Sequence, residues 1–370
     1  MASAPVPTPI FVVGYVHTGT TLLRSVLGKH TDIFMMFGES HFFEDLVRIR
    51  RDFPRLQDEL VLRDYIEFVV RLAMSGSKRA LKIRGGHGLA EIGLSREQIE
   101  ALIDAARQSV AASSGSGHIA AFRSTIAYLS CAANATRWLE KTPAHVHRID
   151  EILAALPDAR IIELVRDPRA ALASRKARAE EHWRATQAAA GAILNQRIIF
   201  DPVFDSHNWR AAVRAGARAA QRHPHAVLRI RYEDLVDNPT SSISDICQFV
   251  GIDFQPQMLQ VGWVNSTTQA RARADGPAGI GQSALGKWRQ SLTRGEIAVI
   301  QMFLRKDLAS LGYEPVSVGW RGGLQTAAVL CRSVPRTIRR ISARGAPGFE
   351  HRWRSKLRLV RQNLAGRAEN

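Results

Sequence analysis

A cluster of glycine and threonine near the N-terminus has the clearest chemical potential in this sequence. Gly14 and Gly19 flank a short turn. Thr18, Thr20 and Thr21 surround the second glycine. A glycine-rich turn lets main-chain N–H groups converge on one point, and a helix that follows adds the unpaired N–H groups of its first turn. The segment therefore predicts an anion site suited to phosphate or sulfate.

The elements around this turn are predicted by the hydrophobic pattern. Residues 10–13 form an apolar, β-branched run typical of a buried parallel strand. Apolar residues then recur at helical spacing over residues 20–29. Nucleotide triphosphatases share this order and have the loop spacing G-x-x-x-x-G-K-S/T, but Thr20 stands at the lysine position here. A P-loop nucleotide kinase or triphosphatase is thus one alternative, and a purely structural turn is another.

Two later segments place polar residues at the ends of apolar runs. They are WLEKTP at 138–143 and ARIIELVRDPRAALASR at 159–175. Together with the turn, where His17 precedes Thr-Gly-Thr-Thr, they resemble the donor-binding motifs of sulfotransferases that use 3′-phosphoadenosine 5′-phosphosulfate (PAPS). The resemblance covers most of residues 9–315 and is closest to the tyrosylprotein-type and bacterial branches. It implies one doubly wound α/β domain, with a central parallel sheet flanked by helices and a P-loop-like phosphosulfate-binding loop.

The resemblance also implies which residues contact the co-substrate. Those that would hold the 5′-phosphosulfate are the loop residues Thr18, Gly19, Thr20 and Thr21. Those that would hold the 3′-phosphate are Arg166, Ser174 and Lys287, with Arg175 and Arg178 as further candidates. A guanidinium suits this role because it binds phosphate through two hydrogen bonds. Tyr232, in the segment Tyr-Glu-Asp-Leu, corresponds to a tyrosine near the adenine.

Three ionisable residues are predicted to carry the chemistry. Glu39 follows a second apolar run at 33–37 and matches the general base of the tyrosylprotein-type enzymes, with His41 as the alternative base. A base is needed because a hydroxyl is a poor nucleophile until its proton is taken. Lys141 corresponds to a lysine that contacts the transferring sulfuryl group, and His17 would act beside it on the leaving phosphate, either as a cation or as a neutral donor. This interpretation requires no metal.

The predicted reaction is in-line transfer of a sulfuryl group from PAPS to an acceptor hydroxyl or amine. The acceptor would be a small molecule, a carbohydrate, a lipid or a peptide. A non-enzymatic nucleic-acid-binding protein is a second alternative, because the net charge is +17. That charge is concentrated near the C-terminus and no nucleic-acid-binding motif accompanies it, so a nucleic-acid partner is not expected.

Composition and cysteine content predict the compartment. The chain has 370 residues, 45% of them hydrophobic, which is enough for one large domain. Its three cysteines, at positions 131, 247 and 331, are odd in number and widely spaced, as in reduced intracellular proteins. The nine residues before the first strand fit no signal peptide or anchor, so a cytoplasmic protein is expected.

The region between residues 42 and 136 is predicted to be largely helical and to carry the acceptor pocket. Residues 60–74 and 95–110 have helical periodicity. The segment Ser-Gly-Ser-Lys-Arg at 75–79 is predicted to be a surface turn after the first of these helices, with a mobile lid as the alternative.

The C-terminal segment has a different composition. Residues 321–370 hold twelve Lys and Arg against two Glu, which predicts a sulfotransferase domain at 1–320 followed by a basic tail. Within 351–364 one face of a helix would carry Trp353, Leu357, Val360 and Leu364. A basic amphipathic helix suits peripheral contact with an anionic membrane or an acidic partner. Packing of this helix on its own domain is the alternative.

Overall fold

A single parallel sheet organises the structure, a computed structural model. It describes residues 7–80, 117–187, 200–261, 280 and 285–342, with scattered positions between 97 and 108. The five strands of the sheet are β1 Thr8–Gly14, β2 Ile33–Met35, β3 Arg137–Lys141, β4 Arg160–Val165 and β5 Val227–Arg231. They lie in the order β2-β3-β1-β4-β5, and every neighbouring pair is parallel. The predicted central parallel sheet is confirmed.

Helices cover both faces of this sheet. In the described residues they are α1 Thr20–Leu27, α2 Phe42–Asp52, α3 Glu59–Ala80, α4 His118–Ala132, α5 Ile149–Ala155, α6 Pro168–Gln187, α7 Pro202–Arg222, α8 Tyr232–Asp237, α9 Pro239–Val250, α10 Trp288–Ser291, α11 Arg294–Ser310 and α12 Gly319–Ser342. Short 3₁₀ helices span Pro143–His147 and Pro256–Leu259.

Alternate side chains of β1 divide the core into two layers. Phe11 and Val13 pack in one apolar cluster with residues of α2, α3, α4 and α7. Ile10 and Val12 pack in the other with residues of α1, α8 and α9. Successive side chains of a strand point to opposite faces, so a strand buried on both faces is apolar throughout, as 10–13 are. The doubly wound α/β architecture expected from the sequence is therefore present.

The strand order fixes where a ligand can bind. β1 lies between β3 and β4, so the chain leaves β1 toward one side of the sheet and later returns on its other side. Such a switch point opens a crevice at the carboxyl ends of the strands, where open α/β sheets bind their ligands. The glycine turn follows β1 directly at this edge.

One local prediction is wrong. Residues 75–79 do not form a turn, because α3 continues through them to Ala80. Glycine and serine lower helix stability by at most about 1 kcal/mol each. Packing of α3 into the core, where Tyr65, Ile66 and Val69 are fully buried, outweighs that cost.

The predicted boundary at 320/321 falls in the first turn of α12. This helix packs on α11 and α7, and the Thr337 hydroxyl donates to Asp201 Oδ1 at 3.4 Å. The amphipathic segment predicted at 351–364 lies outside the described residues, so the division into domain and tail stays a prediction. None of the helices in the described part of the chain is long and apolar enough to cross a membrane.

Candidate active site

The turn after β1 requires glycine at both ends. Gly14 and Gly19 have φ angles of 150° and 98°, and His17 between them also has a positive φ, 66°. A Cβ atom on Gly14 would lie 2.5 Å from the carbonyl oxygen of Leu164, and one on Gly19 would lie 2.4 Å from the Tyr232 ring. The turn is thus held tightly against β4 and the start of α8, with the first turn of α1 opening onto it.

The threonines of the turn have different environments. Thr18 is fully buried, and its hydroxyl donates to the carbonyl oxygen of Tyr15 at 2.7 Å. Its side chain therefore fixes the shape of the turn, which leaves its main-chain N–H for an anion. Thr20 is also buried, whereas Thr21 is partly exposed.

A cation lies against the turn from the neighbouring strand. Arg166 follows β4, and its Nη1 donates to the carbonyl oxygen of His17 at 3.2 Å. Its guanidinium stacks on the Tyr232 ring, 4.1 Å from the centroid. The indole of Trp209 donates to the Arg166 carbonyl oxygen at 3.2 Å and fixes the main chain there. Arg166 and Tyr232 therefore both lie against the turn.

His17 is neutral near pH 7. Burial, followed by the charges of Arg175, Arg166 and Arg178, lowers its pKa to about 4, while the charge of Glu39 acts in the opposite direction. Its Nδ1 lies 3.3 Å from the hydroxyl of Ser174 on α6. Of the two roles considered for His17, the structure favours the neutral hydrogen-bonding group.

Glu39 and Lys141 meet at the neighbouring strand ends. Lys141, the last residue of β3, is almost fully buried, and its Nζ donates to Glu39 Oε1 at 2.6 Å. The imidazole of His41 lies 3.3 Å from the other oxygen of Glu39 and also pairs with Glu44. The predicted base and the predicted cation therefore form one charged cluster.

Hydrogen bonds dominate the ionisation of this cluster. Burial alone would raise the pKa of Glu39, but hydrogen bonds from His41 and Lys141 hold that pKa well below its usual range. Burial alone would lower the pKa of His41, but Glu39 and Glu44 raise it to about 10. His41 is therefore protonated at neutral pH and cannot accept a proton, whereas Glu39 is a carboxylate and can.

A buried glutamate anchors the segment that carries Glu39. Glu140 on β3 is fully buried, and its Oε1 accepts hydrogen bonds from the Ser40 main chain at 3.1 Å, from the Ser40 hydroxyl at 2.7 Å and from Thr142. Its Oε2 accepts from His145 Nδ1 at 3.1 Å. Because Ser40 adjoins Glu39, this network fixes the position of the candidate base.

Sequence reasoning missed Glu140 and Arg24. A glutamate inside a buried strand could have signalled a paired group, since buried charges need partners. Arg24 on α1 donates from Nη1 to the carbonyl oxygen of Phe37 at 2.8 Å. Burial lowers its pKa, and the charges of Glu39 and Glu140 raise it. An arginine in an amphipathic helix gives no such signal.

The remaining candidates for the 3′-phosphate lie on α6 and α10. Arg178 is paired with Glu181 at 2.7 Å, and Arg175 Nε is 3.8 Å from Asp205 Oδ1. Lys287 is exposed at the N-cap of α10, a helix that packs on α6. Which of these residues contact the 3′-phosphate stays a prediction, as does the contact between Tyr232 and adenine.

Comparisons with known proteins agree with this geometry. The sequence profile described as "Sulfotransferase family" matches residues 9–256. Carbohydrate sulfotransferase 6 of Homo sapiens is 31% identical over 173 residues, which cover 42% of this chain and 42% of that protein. Carbohydrate sulfotransferase 3 of Homo sapiens is 27% identical over 166 residues, covering 42% of this chain and 34% of that protein. The matches thus span less than half the length of these relatives.

A solved structure shows a weaker likeness over a longer stretch. The sulfotransferase domain from the olefin synthase of Synechococcus PCC 7002 is 20% identical, with a TM-score of 0.49. The match covers 84% of this chain and 97% of that one. The profile match extends over two thirds of the sequence and includes the turn, Glu39, Lys141 and Arg166. The chain belongs to the sulfotransferase family.

Proposed function

We propose that this protein transfers a sulfuryl group from PAPS to the hydroxyl of an acceptor. The observation that carries the proposal is the pairing of Glu39 with Lys141 at 2.6 Å, at strand ends beside the glycine turn. Lys141 lies opposite Val12 on β1, two residues before the first glycine of that turn. A carboxylate and an ammonium group therefore lie next to the anion site, where acceptor and donor have to meet.

The residues around the turn fit a phosphosulfate. The glycine turn and the N-terminal residues of α1 supply main-chain N–H groups. Position 19 has to be glycine, because a side chain there would clash with Tyr232. After burial, the charges of Arg175, Arg166 and Arg178 lower the pKa of His17, and this supports a positive potential around the turn. Such a field favours a multiply charged anion.

Each catalytic residue has a distinct task in this proposal. Bound PAPS supplies the sulfuryl group, which passes to the acceptor oxygen as its bond to phosphate breaks. Glu39 accepts the proton of the attacking hydroxyl. Lys141 exchanges its contact with Glu39 for the negative charge that gathers on the transferred group and the leaving phosphate, and His17 donates a hydrogen bond there.

A small molecule or a carbohydrate is the proposed acceptor class. The curated relatives are named carbohydrate sulfotransferases, which supports an acceptor hydroxyl on a sugar. We also propose that the enzyme acts in the cytoplasm, a proposal supported by its free cysteines Cys131, Cys247 and Cys331.

The two alternatives have less support. Thr20, buried at the position of the kinase lysine, offers no cation for a triphosphate. A nucleic-acid-binding role would not explain why Lys141 is buried and paired with the partly exposed Glu39.

The direct test is an assay of 3′-phosphoadenosine 5′-phosphate formation from PAPS with a panel of carbohydrate acceptors. Wild-type protein should turn over without added Mg²⁺. Glu39→Gln should lower kcat by about 10²–10⁴-fold, the range for a general base. Glu44→Gln is the matched control, because Glu44 pairs with His41 but not with Lys141, and it should change kcat by no more than a few-fold.

Binding measurements separate misfolding from lost chemistry. Calorimetry with 3′-phosphoadenosine 5′-phosphate should give the same affinity for wild type and Glu39→Gln. If the wild-type protein failed to bind this nucleotide but hydrolysed ATP with Mg²⁺, the kinase or triphosphatase alternative would replace the proposal. Equal activity of Glu39→Gln and wild type would remove Glu39 as the base.

A further inference from the structure

Helix α12 packs on the protein with its less apolar face. The residues it buries are mostly small or polar: Gly322, Val329, Ser333 and Thr337. Two of its contacts are polar, since Gln325 Oε1 accepts from the Gly295 main chain at 3.2 Å and Thr337 donates to Asp201. The position of the helix is thus fixed by these hydrogen bonds and by the packing of Val329 with Val203 and Val299.

The opposite face of α12 is apolar and exposed to solvent. Successive turns of this face carry Trp320, Leu324, Ala327, Cys331, Val334 and Ile338, a spacing that places them in one stripe. Trp320, Leu324 and Ile338 are 73%, 69% and 61% exposed. Amphipathic helices of globular proteins normally turn the apolar stripe to the core, so this orientation is reversed. The stripe runs along about 27 Å of helix, at 1.5 Å per residue.

Positive charge accompanies the stripe. The Arg321 guanidinium lies over the Trp320 ring, 5.2 Å from its centroid, and the exposed Arg332 lies about 120° around the helix from the stripe. The helix contains no acidic residue, and the sequence that follows it, 343–370, holds seven Lys and Arg against two Glu. The exposed apolar face therefore belongs to a helix that carries only positive charge and precedes a mostly basic segment.

We propose that the stripe of α12 docks this protein on an anionic lipid surface. Charge selects this occupant: a second copy of the chain would bring arginines against arginines, and so would the basic segment 343–370. Anionic headgroups attract the arginines, while Trp320, Leu324 and Ile338 enter the interface between headgroups and acyl chains. Tryptophan is suited to that interface because its ring is both apolar and polar.

The test is co-sedimentation of the full-length protein with vesicles. The stripe variant replaces Trp320, Leu324 and Ile338 by Gln, a good helix former. The control variant, Val47→Gln with Leu60→Gln, replaces side chains that are 83% and 73% exposed on α2 and α3. All proteins should have the same thermal midpoint, because neither variant alters a buried side chain.

Wild type and control should bind vesicles of phosphatidylcholine with about 30% phosphatidylglycerol, and high salt should weaken this binding. Both should bind vesicles of pure phosphatidylcholine poorly. The stripe variant should bind the anionic vesicles about tenfold less tightly or worse. Binding of the stripe variant equal to that of wild type would overturn the proposal. So would a wild type that does not bind, or a lipid-free dimer that the stripe variant abolishes, which would assign the face to a second copy.

Discussion

Glu140 on β3 and Glu163 on β4 are both buried in the same sheet, yet their surroundings differ. Glu140 accepts hydrogen bonds from Ser40, Thr142 and His145. Glu163 accepts one from Arg229 Nε at 2.5 Å, and its Oε1 has no hydrogen-bond partner among the described residues. Burial raises the pKa of both groups, but the partners of Glu140 bring its pKa below the usual value, while that of Glu163 rises to about 7.

The comparison indicates that the hydrogen-bond partners of a buried group, more than burial itself, decide whether the group carries charge. Glu39 and His41 behave like Glu140. The effect of their hydrogen-bond partners on the pKa exceeds that of burial, so both side chains are charged. His17 behaves like Glu163. Burial is the largest influence on its pKa and leaves the imidazole neutral. The site thus combines charged side chains at the ends of β2 and β3 with the neutral imidazole of His17 in the turn.

The largest effect on stability is expected when glutamine replaces Glu140, compared with the same replacement of Glu163. Glu140→Gln sets an amide N–H₂ against the donors that Glu140 accepts from, so it should destabilise the fold by about 3–5 kcal/mol at pH 7. Glu163→Gln should cost no more than about 1 kcal/mol. Urea unfolding of both variants measures the difference. Equal losses would mean that burial alone sets the cost.

The pH dependence of stability should reveal Glu163. Its pKa is about 7 when folded, against an ordinary value of 4.5. The folded state therefore binds the proton more tightly, so this contribution to stability is complete below pH 4.5 and is lost as the pH rises through 7. The loss is on the order of 3 kcal/mol.

In Glu163→Gln this decline between pH 4.5 and 7 should disappear, because Gln does not titrate. Urea unfolding at pH 5, 6 and 7 provides the measurement. A decline that persists in the variant would assign it to another group.

A smaller effect is expected at Gly216, which adjoins Glu163. A Cβ atom at this position on α7 would lie 2.1 Å from the Glu163 carboxyl carbon. Gly216→Ala should therefore destabilise by about 1–3 kcal/mol. Gly323→Ala on α12, where a Cβ meets nothing within 4 Å, is the control and should stabilise by up to about 1 kcal/mol. Thermal unfolding that shifted upward in both would contradict the packing described.

The smallest effect is expected at His17. With a pKa of about 4, its imidazole is neutral from pH 5.5 to 8. His17→Ala removes one neutral hydrogen-bond donor, worth about 1 kcal/mol, so kcat/KM should fall by about tenfold or less and by the same factor at pH 6 and pH 8. A deficit that grows toward pH 6 would show that the cation is the active form.

The features that could be predicted from the sequence are those that depend on the local pattern of apolar residues and glycines. The strand, turn and helix around Gly14 and Gly19 were predicted, and so were the strands that bring Glu39 and Lys141 to the sheet edge. The ion pair between these two side chains was not predicted. The partners of Glu140 could not be predicted, since Ser40 is 100 positions away in the chain. The reversed face of α12 could not be predicted either, because periodicity identifies an apolar stripe without saying which way it turns.

The order of the strands has an evolutionary consequence. Glu39 follows β2 and Lys141 ends β3 on one side of β1, whereas Arg166 and Tyr232 follow β4 and β5 on the other. If PAPS binds on the side of Arg166 and Tyr232, as we propose, the chain between β2 and β3 can change while the residues that bind PAPS stay the same. Descendants of one ancestor could in this way diverge in what they modify and keep a common source of the group they transfer.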